Sequence, residues 1–334
     1  MSSNGLGKDA AGSFTCRICG ILKENSIWEI QEMMFGLAER FHYFCCSICG
    51  CLQICEAPQD MFRYYPSEYY SYSPESPGVP KGIKGYLKNK RDVYFFFKRG
   101  LIGRFLSLKI ITDEQLRSIA GINLTENSRI LDVGCGKGAF LHELRKIGFK
   151  NLLGIDPFLR KDMVSAGGVR LKKEAIHNIG GKWDLIMFHH SFEHLLDPLN
   201  TLTSVLSLLS EGGVCLIRIP VVSSFSWEHY SVNWIQIDAP RHLYLFSVKG
   251  MEILASKAGF SIEKIVFDST AFQFWGSEQS LKGIPLISDR SYFLNPPGSI
   301  FSEADIQRFR KRATELNAIN QGDQAAFYLR AKKG

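Results

Sequence analysis

Residues 129–139 read Arg-Ile-Leu-Asp-Val-Gly-Cys-Gly-Lys-Gly-Ala, and residues 151–157 read Asn-Leu-Leu-Gly-Ile-Asp-Pro. Ile130, Leu131 and Val133 predict a short buried strand. Gly134, Gly136 and Gly138 then permit a tight turn in which backbone N–H groups approach a ligand with no Cβ in the way. Phe140, Leu141, Leu144 and Ile147 fall on one helical stripe after that turn. A second apolar strand, Leu152 to Ile155, ends on Asp156. The unit is strand, loop, helix and strand, with a carboxylate at the tip of each strand, where open α/β sheets bind ligands.

The spacing Gly134-x-Gly136-x-x-Ala139 fits a dinucleotide loop, with Asp156 at a ribose-binding distance downstream. A nicotinamide-dependent oxidoreductase is therefore one alternative. Asp132 argues against it, because a carboxylate beside the loop repels a pyrophosphate and attracts a ligand carrying an ammonium and a sulfonium. Leu131-Asp132-Val133-Gly134-Cys135-Gly136-Lys137-Gly138, taken with Gly154-Ile155-Asp156-Pro157, resembles motif I and the ribose-binding acid of class I S-adenosylmethionine (SAM)-dependent methyltransferases. The resemblance implies an α/β fold, a doubly wound, seven-stranded Rossmann-like sheet. SAM would be its cofactor, contacting Asp132, Gly134, Gly136, Asp156 and Pro157. It also implies an adenine contact at Glu174 or Ala175 and a cofactor contact at His189.

The rest of the SAM-binding domain, residues 121–334, alternates strand and helix signals. Strands are expected at 168–171, 182–188 and 212–219, and two terminal antiparallel strands at 261–267 and 325–329. Asp197-Pro198 has the form of a helix start, an acid at the cap and a proline in the first turn. Residues 271–322 break the pattern and are expected to be an insertion covering the substrate side.

The chain has 334 residues and a net charge of +7, enough for one large core and a smaller module. No run of 18 apolar residues predicts a membrane span. Residues 1–13 are polar and glycine-rich, without the apolar centre of a signal peptide, and are expected to form a disordered tail. Seven of the nine cysteines precede residue 56, which in a chain without an export signal suggests a metal site in a reducing cytoplasm. Cys16-x-x-Cys19-Gly20 and Cys46-x-x-Cys49-Gly50 are two like knuckles, and four thiolates would close a structural tetrahedral Zn²⁺ site in a ribbon over residues 14–60. Cys45, Cys51 and Cys55 compete, but only Cys46 repeats the spacing and glycine of the first knuckle. No nucleic-acid partner is expected, since residues 14–55 set Arg17, Lys23 and Arg40 against Glu24, Glu29, Glu32 and Glu39 and give no basic footprint.

Residues 61–120 begin with Tyr64, Tyr65, Tyr69, Tyr70 and Tyr72. This stretch resembles the segment after the zinc ribbon in bacterial methyltransferases that include deoxysugar C-methyltransferases, which implies that Tyr69 and Tyr70 reach the acceptor. The basic, aromatic run 81–118 is either a helical linker packed on the catalytic domain or a membrane-surface helix; the glycines at 100 and 103 favour the linker.

Methyl transfer from a sulfonium is an in-line displacement in which the protein aligns the reactants and excludes water. A hydroxyl or carbon acid also needs a base, and histidine suits neutral pH. The resemblance puts that base at His242, although the preceding Pro240-Arg241 departs from the Tyr/Glu-like pattern of the C-methyltransferases. His190 is the second candidate. Arg241 is expected to bind an anionic group such as a sugar-nucleotide phosphate, and His229 to line the acceptor site. The acceptor expected is a small polar molecule, a sugar, sugar nucleotide or surface-polysaccharide intermediate, with a quinone-like metabolite as the alternative.

Overall fold

The computed structural model describes residues 10–65, 82–107, 113–165 and 167–332. The expected acceptor contacts Tyr69 and Tyr70 lie outside them. Four strands open the chain: β1 (Ala10–Thr15), β2 (Leu22–Gln31), β3 (Arg40–Cys45) and β4 (Leu52–Ile54). The first strand begins ahead of the expected limit of the disordered tail. Residues 10–15 pair antiparallel with 22–27 around the first cysteine knuckle, and Phe14 stacks on Phe44 with centroids 4.7 Å apart. Pairing across the knuckle gives these small residues a ladder that their composition alone does not announce.

The basic linker is two helices, α1 (Gly82–Phe97) and α2 (Leu101–Ser107), broken at Gly100 (φ 92°). Phe96 and Phe97 of α1 pack on Phe149, centroids 5.5 and 5.1 Å apart, and Lys88 pairs with Glu143 at 2.9 Å. α3 (Glu114–Ala120) follows, capped by the Asp113 carboxylate.

The main sheet starts with β5 (Arg129–Val133), then α4 (Ala139–Ile147), β6 (Asn151–Ile155), β7 (Met163–Val164), β8 (Arg170–Lys172), β9 (Trp183–His189), α5 (Pro198–Leu208) and β10 (Leu209–Pro220). Next come α6 (Phe225–Tyr230), β11 (Tyr244–Leu245), α7 (Val248–Lys257), β12 (Phe260–Phe267), α8 (Phe272–Leu281), α9 (Glu303–Ala318) and β13 (Gln324–Ala331). The strand order is β12-β13-β10-β9-β5-β6-β8-β7. The centre is parallel, and β13 enters antiparallel between β10 and β12. The sheet has eight strands where seven were expected. The added β7 is a two-residue edge strand paired antiparallel to β8, and both its residues are exposed, so no alternation of apolar residues marks it. α8 and α9 lie between the last two strands, β12 and β13.

The ribbon is not an independent module as its expected boundaries suggest. β11, from the catalytic half, pairs with β4 and completes a five-stranded sheet. Tyr43 donates its hydroxyl to the His242 carbonyl at 2.8 Å, and Lys257 donates to the carbonyls of Ile18 and Cys19, each at 2.9 Å. The ribbon core and the sheet core are continuous. Residues 238–247, which carry Arg241 and His242, are thereby held from both sides.

Candidate active site

The loop after β5 turns through Gly134, Gly136 and Gly138, with φ of 76°, 50° and 73°, a region that L side chains rarely adopt. The turn is fastened to the tip of β6. Gly136 N–H donates to one Asp156 oxygen at 3.0 Å and Phe158 N–H to the other at 2.8 Å. Ser191, in the loop after β9, donates to the Val133 carbonyl at 2.6 Å. These loops enclose a cavity of about 130 Å³ lined by Gly134, Gly136, Asp156, Pro157, Tyr65 and Phe158, among others. Tyr65 and Phe158 lie nearly parallel, 21° apart.

Asp132 is buried at the end of β5, beneath this cavity instead of in its wall. Burial, then the charge of Asp156, push its carboxyl up to about 7; burial also raises Asp156. Among the described residues no lysine or arginine lines the cavity. Two adjacent under-compensated carboxylates, with no lysine or arginine beside them among the described residues, suit a cationic, phosphate-free nucleoside and not a pyrophosphate. The residues present therefore fit SAM. Because Asp132 must ionise to meet a cation, SAM affinity is expected to fall as pH drops below 7, by up to about tenfold per pH unit. Calorimetric titration between pH 8 and 5.5 checks this; an affinity flat across that range contradicts it.

The other expected cofactor contacts are not brought here. His189 packs edge-on against Phe140, centroids 5.0 Å apart, and neither ring nitrogen has a hydrogen-bond partner among the described residues. Glu174 accepts from Ala175 N–H at 3.0 Å and from Asn178 at 2.7 Å, and neither it nor Ala175 lines the cavity.

A second cavity, about 300 Å³, lies on the other side of His190, which lines both. Its walls are mainly apolar, with Met34 from the ribbon, Ile235, Phe272 and Trp275 from the start of α8, Leu286 and Phe293. Its polar side is made by His190, His242, Asp238, Gln236 and Gln324. The insertion thus covers this cavity. Sequence patterns could not reveal these walls, because they come from four separated segments.

The histidines divide. His190 sits at φ 51° with Nε2 accepting from Arg218 at 3.1 Å and Nδ1 3.5 Å from Glu193. Both its nitrogens are engaged, so it shapes the wall and does not offer the free nitrogen that a base needs. His242 Nδ1 lies 2.8 Å from the Gln236 carbonyl, which fixes the proton there and leaves Nε2 as the lone pair. Burial, then His194, push His242 down to about 4 against the pull of Glu193 and Asp238. Glu193 is fully buried; burial pushes it up, but His190, His242 and His194 hold it down to about 2. His229 is exposed on α6, stacked on Phe225, and lines neither cavity.

Arg241 does not bind substrate anions. It is 0% exposed and donates to Glu32 at 2.6 Å and to Asp238 at 2.6 and 2.9 Å. Its fork is consumed by the two carboxylates that bury it.

The four expected zinc ligands do converge. Cys16 and Cys49 sulfurs are 3.5 Å apart and those of Cys19 and Cys46 3.7 Å, and all four lie within 4.8 Å of one another. A ZnS₄ tetrahedron with bonds of roughly 2.3 Å has edges of roughly 3.8 Å. Gly20 and Gly50 (φ 82° and 75°) close the knuckles by donating to the Cys16 and Cys46 carbonyls, each at 2.8 Å. Ile18 and Cys19 N–H point at the Cys16 sulfur, each at 3.4 Å. The arrangement fits a metal, and Cys51 is engaged instead with Ser247.

Residues 108–265 match the family model of a methyltransferase domain. Among curated proteins, the chain is 27% identical over 127 residues to a tRNA U34 carboxymethyltransferase of Campylobacter hominis, covering 33% of this chain and 45% of the relative. It is 27% identical over 128 residues to a ubiquinone biosynthesis O-methyltransferase of Cereibacter sphaeroides, 35% of this chain and 51% of the relative. It is 37% identical over 67 residues to EEF1A lysine methyltransferase 2 of Danio rerio, 20% and 29%. The chain thus spans about half or less of these relatives. Among solved structures it is similar to the mycolic acid cyclopropane synthase CmaA1 complexed with SAH and CTAB, at 15% identity and TM-score 0.42, covering 77% of this chain and 100% of that one.

Proposed function

Since residues 108–265 form a class I SAM-dependent methyltransferase domain, we propose that the protein transfers the SAM methyl group to a protic atom on a small acceptor with an apolar or aromatic body. The observation that carries this reading is the pair of cavities sharing one wall at His190. The smaller suits the donor and the larger the acceptor, so the methyl group passes across their junction.

SAM brings an already activated methyl group when bound. Gly134, Gly136 and Asp156 would hold it, with Asp132 adding negative potential from beneath. The chain's remaining work is to orient the acceptor, exclude water and remove a proton. The apolar side of the larger cavity would take the acceptor's body, and the His242–Glu193–Asp238 side its protic head. A sugar nucleotide, the acceptor first expected, fits less well: the walls are largely apolar and Arg241, the expected phosphate partner, is spent on Glu32 and Asp238. The Cys16-Cys19-Cys46-Cys49 set would hold a structural Zn²⁺ that keeps the ribbon, and through β11 the His242 segment, in place.

His242→Ala is expected to leave SAM affinity within about threefold and to lower turnover at least roughly 100-fold, the usual weight of proton-transfer catalysis. The check is transfer from methyl-labelled SAM to a panel of phenols, hydroquinones and sugar nucleotides, with SAM binding measured separately. Unchanged turnover, or equal losses of binding and turnover, would sink the assignment. Preferred methylation of a sugar nucleotide would return the acceptor to the sugar class.

A further inference from the structure

The wall between the cavities holds a charge arrangement that methyl transfer alone does not explain. Glu193 follows β9 in a turn that also carries His194, and its side chain is 0% exposed. Neither carboxylate oxygen has a hydrogen-bond partner among the described residues. A buried carboxylate left in this state is costly unless a cation answers it.

His190 Nδ1 is the nearest group, 3.5 Å from Glu193 Oε1, beyond hydrogen-bond length; the two histidines on its other side are oriented to supply lone pairs, not protons. His242 Nδ1 is 2.8 Å from the Gln236 carbonyl and His194 Nδ1 is 2.8 Å from the Arg241 carbonyl. Each carbonyl fixes the proton on Nδ1 and leaves Nε2 bare, which is how histidines that ligate metals are held. The His242 Nε2 lone pair then faces Glu193 Oε1 and Asp238 Oδ2, both at 3.8 Å. A lone pair turned toward two carboxylates is repelled unless positive charge lies between them. Ligand atoms of Glu193, His194 and His242 lie within 4.8 Å of one another, while the other Asp238 oxygen is paired with Arg241.

We propose that Glu193, His194 and His242 bind a divalent transition-metal ion on the wall between the two cavities, separate from the cysteine site. Two imidazoles and one carboxylate favour Zn²⁺, Fe²⁺, Mn²⁺ or Co²⁺ over Mg²⁺ and Ca²⁺, and three ligands leave positions open toward the acceptor cavity. The catalytic consequence rests on the preceding reading: an acceptor hydroxyl bound to such an ion is acidified, and His242 then serves turnover by holding the ion. The binding itself does not rest on that reading.

The test uses the full chain, stripped of metal, loaded with Co²⁺ and dialysed, with cobalt counted per chain and the visible spectrum recorded. Glu193→Gln, nearly isosteric, and His242→Ala are each expected to bind one ion fewer than the unmodified chain, with the thiolate–cobalt bands unchanged. Cys46→Ser with Cys49→Ser should lose those bands and keep an ion with a nitrogen–oxygen spectrum. Equal cobalt content in the unmodified chain, Glu193→Gln and His242→Ala overturns the proposal. If the ion binds but SAM does not, the methyltransferase reading fails and this site stands.

Discussion

Arg241→Met is expected to destabilise the protein by on the order of 3–5 kcal/mol, the cost of stranding buried charge when one member of an ion-paired group is removed. Arg241 is fully buried with Glu32 and Asp238, donates to the Tyr64 carbonyl at 3.2 Å and lies over the Phe35 ring. Glu32 is further committed to the N–H groups of Met34, Phe35 and Leu37. Removing the guanidinium leaves the fully buried Glu32 unpaired, with Asp238 beside it at the edge of the larger cavity. At roughly 2–4 °C per kcal/mol, thermal unfolding should shift down by roughly ten degrees. Because the same side chain joins the ribbon turn to the His242 segment, turnover should fall along with stability. Had Arg241 been an anion-binding residue, the variant would keep its melting temperature and lose only affinity for a charged acceptor. Scanning calorimetry separates the two outcomes.

This residue also marks where sequence reasoning runs out. A guanidinium has the same chemistry whether it meets a substrate phosphate or two carboxylates, and its partner Glu32 is 209 residues away. The Gly134–Gly138 turn and Asp156 were legible because their signal is local: glycines where φ is positive, and an acid at a strand tip. The cysteine knuckles were legible for the same reason, by spacing and a following glycine. The attachment of the ribbon was not, since β4 and β11 meet through backbone pairing that no side-chain pattern encodes. Nor was the larger cavity, whose apolar walls look like ordinary core in each of their segments. His190, His194 and His242 come together in the structure, but which had a free nitrogen depended on carbonyls and on Arg218, and only coordinates order those.

Gly134→Ala is expected to weaken SAM binding at least roughly 30-fold, about 2 kcal/mol. Gly134 has φ 76°, and a Cβ there would overlap Ser191 Cβ and stand 2.9 Å from its Oγ. Either the glycine turn or the Ser191 loop must move, and both line the smaller cavity. Adding Ser191→Gly removes the overlap but leaves the alanine at a positive φ, so it should restore only part of the lost affinity, a non-additivity expected of residues in contact. Equal affinity in Gly134→Ala and the unmodified chain would mean that the ligand does not lie against this turn.

The same titration on the unmodified chain bears most directly on the donor site. Calorimetry with S-adenosylhomocysteine and, in parallel, NAD should give saturable binding of the first at one molecule per chain, abolished or greatly weakened by Asp156→Ala, and no heat from the second. Binding of NAD in its place, or S-adenosylhomocysteine binding indifferent to Asp156→Ala, would contradict a SAM site between β5 and β6.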